Sequence, residues 1–197
     1  MLDSILPFVW FLQEFRKVER IIYYPGSHRQ ENDAEHAYQL AMVAWYIIEQ
    51  KKLLLDVWKV IKYALVHDLV EIHAWDTIPF NHWSIELQTK AVREQEALDL
   101  IKREFPDMHE IWSRIDDYEL KRDNEARFVY ALDKILPIMN TIIDNWRAWK
   151  TFDVSCIDLC KHMEKTKWDS EIYSLSQEIR ALLEKHPEWF GDDKKAV

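Results

Sequence analysis

The sequence predicts an all-helical protein, and three observations carry that expectation. Only two glycines occur in 197 residues, too few for the tight turns that sheets consume. Apolar residues recur at i, i+3, i+4 and i+7 over long stretches, the spacing of one helix face. Hydrophobic residues make up 48% of the chain, with ten Trp, eight Tyr and eight Phe, a content that supports a packed core and excludes general disorder. The length suits a single domain spanning residues 1–197.

The first helix is expected over residues 4–22, with "ILPFVWFL" as its core face and a loop at Pro25–Gly26 beyond it. That run is too short to span a membrane, and no basic segment precedes it as in a secretory signal. Asn32 or Asp33 caps the second helix, "AEHAYQLAMVAWYIIEQ". Its buried face comprises Ala37, Leu40, Ala41, Ala44, Ile47 and Ile48, and His36 sits at the N-terminal end of that face. A third helix is expected over residues 56–74, with a stripe of Val57, Val60, Ile61 and Ala64. The stripe runs on through His67 and Asp68 to Glu71, so a polar trio replaces core at its end.

After the loop "DTIPFNHW", helical stretches follow at residues 84–105 and 107–116. A long helix then starts near Asn124 and continues to about residue 149. It is apolar on most sides, with Asp133 a lone carboxylate among Phe128, Val129, Ala131, Leu132, Ile135 and Leu136. Pro137 is expected to kink it or to end its regular hydrogen bonding four residues later. Residues 155–186 form a last amphipathic helix or pair, and the tail "GDDKKAV" frays.

The formal charge of −9 excludes a general grip on nucleic acid but leaves room for a small anion held by local cations. Cys156 and Cys160 are too few for a disulfide framework and point to a reducing, cytoplasmic setting.

Burying imidazoles and carboxylates is costly unless each is paired or coordinated. Singly, His36, His67, Asp68 and Asp133 each admit a bland account: a core histidine, a chance dipeptide, a carboxylate paired with Arg127 or Lys134. Their order and setting argue for a shared purpose. Two imidazoles and two carboxylates, with water completing the shell, suit Mn, Co, Fe or Ni; Zn is admissible, and Mg favours all-oxygen ligation.

In this order and at these separations, "SHRQENDAEHAYQLAMVA", "ALVHDLVEIHAWDTIP" and "EARFVYALDKI" resemble the HD-domain metal-dependent phosphohydrolases, and among them the small 5'-deoxynucleotidase branch. The resemblance implies an HD-domain helical bundle and one divalent metal held by His36, His67, Asp68 and Asp133. It also implies hydrolysis of the 5'-phosphate of (deoxy)nucleoside monophosphates, a small-molecule nucleotide as partner, and a homodimer. The branch-specific residues match Arg29, Glu71 and Asp76. Glu71, four residues after His67, would manage protons of the attacking water or leaving oxygen. Arg29 would clamp phosphate with its planar fork, and Asp76 would accept a hydrogen bond from a ribose hydroxyl. The stretch "AWDTIP" lacks the glycine that relatives more often place before the aspartate. The competing expectations are an HD hydrolase of deoxynucleoside triphosphates or guanosine polyphosphate alarmones, and a catalytically silent helical binding module.

Overall fold

The structure is a computed structural model that describes residues 1–74 and 84–190, with the backbone alone described over residues 84–91. Helix α1 spans Leu2–Phe15, shorter than the expected 4–22. The chain then turns into a two-stranded antiparallel hairpin, β1 at Glu19–Tyr23 and β2 at Gln30–Asn32. Val18, Ile21, Ile22 and Tyr23 are β-branched or aromatic and fit an extended, half-buried ribbon. Gly26, at φ +75°, supplies the left-handed residue in the turn between the strands. The register shifts between the pairs Glu19–Asn32 and Tyr23–Gln30, so β1 carries more residues than β2 across the same span. Such irregularities re-aim side chains, and Arg20 lies within this one.

Helix α2, Asp33–Lys51, starts at a full capping box. The Asn32 side chain accepts from the Glu35 N–H at 3.0 Å, and the Glu35 carboxylate accepts from the Asn32 N–H at 3.2 Å. Helix α3, Val57–Val66, begins at Asp56, whose carboxylate accepts from the Lys59 N–H. The expected helix 56–74 breaks here. Residues 67–70 form a tight turn with i→i−3 bonds such as Glu71 N–H to Asp68 C=O at 2.9 Å, and a short α4 follows at Glu71–Ala74.

Helices α5 (Ser84–Glu104) and α6 (His109–Glu119) agree with the expected stretches. Helix α7, Asn124–Ile143, starts at the Asp123 cap and runs on past Pro137 rather than ending there. A short α8, Arg147–Thr151, replaces the tail of the expected long helix. The last region holds α9 at Cys156–Met163, a 3-10 segment at Glu164–Trp168 and α10 at Ser170–Lys185. The tail from residue 191 lies outside the described residues. The helical class holds, with the hairpin as its one sheet among the described residues. No described helix is long and apolar enough to cross a membrane.

Two apolar clusters build the interior. The larger surrounds α7 and joins Leu40 and Ala44 of α2 to Val60, Tyr63 and Ala64 of α3. The smaller gathers Phe11, Phe15, Ala37, Val66, Leu69, Val70, Leu98, Ile101, Trp112 and Ile115. Along α2 the change from one cluster to the other falls beside His36, and along α3 it falls beside His67. The polar residues of the third stripe therefore sit at a seam between two cores, with α7 across from them.

Candidate metal centre

The seam gathers the four residues that three separate segments contribute. Ligand atoms of His36, His67, Asp68 and Asp133 all lie within 4.8 Å of one another. His36 Nε2 stands 2.9 Å from Asp133 Oδ1, and His67 Nε2 stands 3.6 Å from the same oxygen and 2.9 Å from Asp68 Oδ2. The two ring centroids lie 5.4 Å apart, with the ring planes tilted by 51°.

The tautomer of His67 is set by its neighbour. Its Nδ1 donates to the Ala64 carbonyl at 2.9 Å, since a carbonyl can only accept. Nε2 is thereby aimed into the cluster, where it is buried without an aligned hydrogen-bond partner among the described residues. Asp68 Oδ2 approaches the same nitrogen to 2.9 Å, an ion-pair distance. Donors about 2.1 Å from one ion lie roughly 3–4 Å apart, and the separations of 2.9 and 3.6 Å fit that spacing. Two buried imidazole nitrogens and two carboxylates thus fit a divalent transition metal, and His36, His67, Asp68 and Asp133 are the residues that could hold it.

The two histidines differ in their electrostatics. Burial pulls His36 down to about 4, with Arg20 adding to the effect, so its ring is neutral as a ligand must be. Burial also opposes a charge on His67, but the Asp68 and Asp133 carboxylates outweigh it and push its pKa up to about 10. Both carboxylates resist the upward pull of burial: His67 and Arg20 hold Asp68 low, and Lys134 with the two histidines holds Asp133 low. Two ionised carboxylates around buried imidazoles create a local demand for positive charge.

Two further residues complete this surround: Arg20, which the sequence did not single out, and Lys134, expected there only as a partner for Asp133. Arg20 donates from Nη1 to Asp68 Oδ2 at 2.9 Å and to Asp33 Oδ1 at 2.8 Å. Lys134 donates to Asp133 Oδ2 at 2.6 Å. Each orients a carboxylate of the cluster, as outer-sphere partners of metal ligands commonly do. The Asp-Lys adjacency was a visible signal for Lys134. Arg20 had none, because its strand was read as the end of a helix. Arg20→Ala is expected to weaken binding of a divalent metal by roughly 10–100-fold with the helical fold retained; calorimetric titration with Mn or Zn checks this.

The remaining sequence candidates take different positions. Glu71 is buried at the start of α4, directly after the turn that carries His67 and Asp68, but is not among the four converging residues. Arg29 stays outside the cluster. Its guanidinium pairs with both oxygens of Glu35 at 2.8 and 2.9 Å and stacks on Tyr24. Asp76 lies outside the described residues.

The model of the HD domain matches residues 12–174. Among solved structures, the chain is similar to a predicted metal-dependent phosphohydrolase from Magnetospirillum magnetotacticum MS-1, at 24% identity and a TM-score of 0.81, covering 96% of this chain and 98% of that one. It is also similar to a conserved hypothetical protein from Pyrococcus furiosus, at 20% identity and a TM-score of 0.61. The PH0347 protein from Pyrococcus horikoshii OT3 matches at 19% identity and a TM-score of 0.62. Both of these matches cover 92% of this chain and 98% of the other. A comparison with curated proteins returned no match.

Proposed function

Because this chain belongs to the HD-domain family, we propose that it is a metal-dependent phosphohydrolase which removes the 5'-phosphate from (deoxy)nucleoside monophosphates. The observation that carries the reading is the convergence of His36, His67, Asp68 and Asp133 within 4.8 Å at a buried seam. The phosphohydrolase description of the Magnetospirillum protein of the same fold supports it.

His36, His67, Asp68 and Asp133 would hold the metal, with Arg20 and Lys134 steadying the two carboxylates. A divalent metal bound there supplies Lewis-acid polarisation of the phosphoryl group and brings the pKa of bound water from 15.7 towards roughly 7. Glu71 is the proposed proton manager, because it is a buried carboxylate on the segment that follows the His67–Asp68 corner. Its task is to take a proton from the attacking water and deliver one to the leaving 5'-oxygen. Asp76 is proposed to accept a hydrogen bond from a ribose hydroxyl, which gives the site a hold on the sugar.

Arg29 is proposed to contact the substrate phosphate by exchanging the Glu35 carboxylate for it. That exchange requires release of a bidentate pair, so the expected contribution is modest. Arg29→Ala should raise KM several-fold with kcat little changed, and kinetics identical to wild type would remove Arg29 from the binding site.

Phosphate release from a panel of ribo- and deoxyribonucleoside mono- and triphosphates tests the reading as a whole. Each substrate is assayed with Mn, Co, Mg or chelator. Release from monophosphates that chelator abolishes is the expected result. Preferential attack on triphosphates would move the substrate assignment, and no release with any metal would leave a binding module.

A further inference from the structure

The open edge of the cluster carries a second ammonium beside the one that holds Asp133. His36, His67 and Asp133 are shut in, whereas Asp68 keeps 20% of its side chain exposed and Lys134 keeps 23%. Lys134 Nζ lies 4.8 Å from the centre of the Tyr130 ring while it holds Asp133. Lys121, in the connection between α6 and α7, brings a second ammonium to the same ring at 4.1 Å. Its backbone sits in the left-handed region at φ 49°, an uncommon conformation for a lysine. Its Nζ donates to the Glu119 carbonyl at 2.8 Å, and no carboxylate among the described residues pairs with it within 4.0 Å. Burial lowers the pKa of Lys121; the nearby Glu119 carboxylate opposes that shift, and repulsion from Lys134 adds to it. Two like charges are therefore held at one aromatic ring beside a phosphohydrolase candidate site, in a chain of net charge −9. Lys134 is itself paired with Asp133, and Arg20 with Asp33 and Asp68.

We propose that Lys121 and Lys134, seated on Tyr130, form an anion-binding corner at the open edge of the cluster and take the non-bridging oxygens of a phosphate group. The proposal rests on the phosphohydrolase reading and names the residues that hold the ligand's charge. Tyr130 sets the position of both ammonium groups through its ring face. A dianionic phosphate between them relieves their mutual repulsion and accepts charge-assisted hydrogen bonds from each. Lys134 links this corner to the metal ligands, because the same ammonium touches Asp133.

Inorganic phosphate is the probe, titrated calorimetrically into the full chain loaded with Zn. Lys121→Gln should weaken phosphate binding by roughly tenfold or more, the effect of losing one charge-assisted contact. Lys121→Arg should keep most of the affinity. Lys17→Gln removes an equal charge from α1, at an exposed residue paired with Glu14, and should leave affinity unchanged. Metal content and thermal unfolding are read on every variant, so that a loss of fold is not mistaken for a loss of contact. Phosphate binding unchanged in Lys121→Gln, or weakened equally in Lys17→Gln, overturns the anion corner. If the wild type binds no divalent metal, the phosphohydrolase reading falls and the corner with it. If the wild type holds metal and hydrolyses phosphomonoesters while Lys121→Gln binds phosphate normally, only the corner falls.

Discussion

Replacing Asp68 with alanine is expected to strip the divalent metal and stop phosphate release together. The substitution removes the carboxylate that stands 2.9 Å from His67 Nε2 and 2.9 Å from Arg20 Nη1. It takes a negative ligand out of the cluster and leaves Arg20 paired with Asp33, so the site loses much of its attraction for a dication. Loss of an outer-sphere partner alone typically costs 10–100-fold in metal affinity, and loss of the ligand itself should exceed about 100-fold. Turnover should fall by roughly three orders of magnitude, because the several kcal/mol of charge stabilisation that a metal supplies to the transition state goes with it. Asp68 is partly exposed at the cluster's edge, so the fold should survive, and circular dichroism will verify that. Elemental analysis of the purified variant, run beside the phosphate assay, checks the result. A variant that keeps one metal per chain and the wild-type rate would refute the ligand assignment.

Glu71→Ala should separate the two properties that Asp68→Ala removes together. Glu71 lies outside the group of four, so metal content should stay at the wild-type level. Turnover should drop by roughly 10²–10⁴, the usual range for a general acid–base group. Glu71→Gln keeps the shape and the hydrogen-bonding capacity but not the proton exchange, and should be nearly as slow. Rescue of the rate by glutamine would make Glu71 a packing residue, and a fully active alanine variant would take it out of the chemistry altogether.

The legibility of the site in the sequence differed from residue to residue. His36 and Asp133 stood out because each interrupts a helical apolar face, at α2 and α7, and both proved fully or nearly fully buried. The stripe that ends in His67, Asp68 and Glu71 read as one helix with all three on one side. A tight turn at residues 67–70 instead separates α3 from α4. Short i→i−3 bonds and α-helical bonds place apolar residues at similar intervals, so periodicity could not tell the turn from one more helical turn. Arg20 was hidden for a related reason. Two apolar residues beside it continue the pattern of α1 equally well as helix or as ribbon, and only pairing with Gln30–Asn32 resolves the choice. Arg29 is a different case: its guanidinium, near the candidate site in sequence, is paired with Glu35 in three dimensions.

What the sequence determined by itself was the helical class, a cap for the second helix at Asn32 or Asp33, and the identity of four costly polar residues at apolar positions. These follow from local rules: spacing fixes which face is buried, and short polar side chains satisfy the free N–H groups at helix starts. The tertiary structure alone decided that the four polar residues meet at a seam between two cores, that Arg20 orients Asp68, and that Lys121 joins Lys134 on one ring. Those contacts join residues far apart in the chain, such as Arg20 to Asp68 and His36 to Asp133. Their partners are set by how helices and hairpin pack, which no local periodicity encodes.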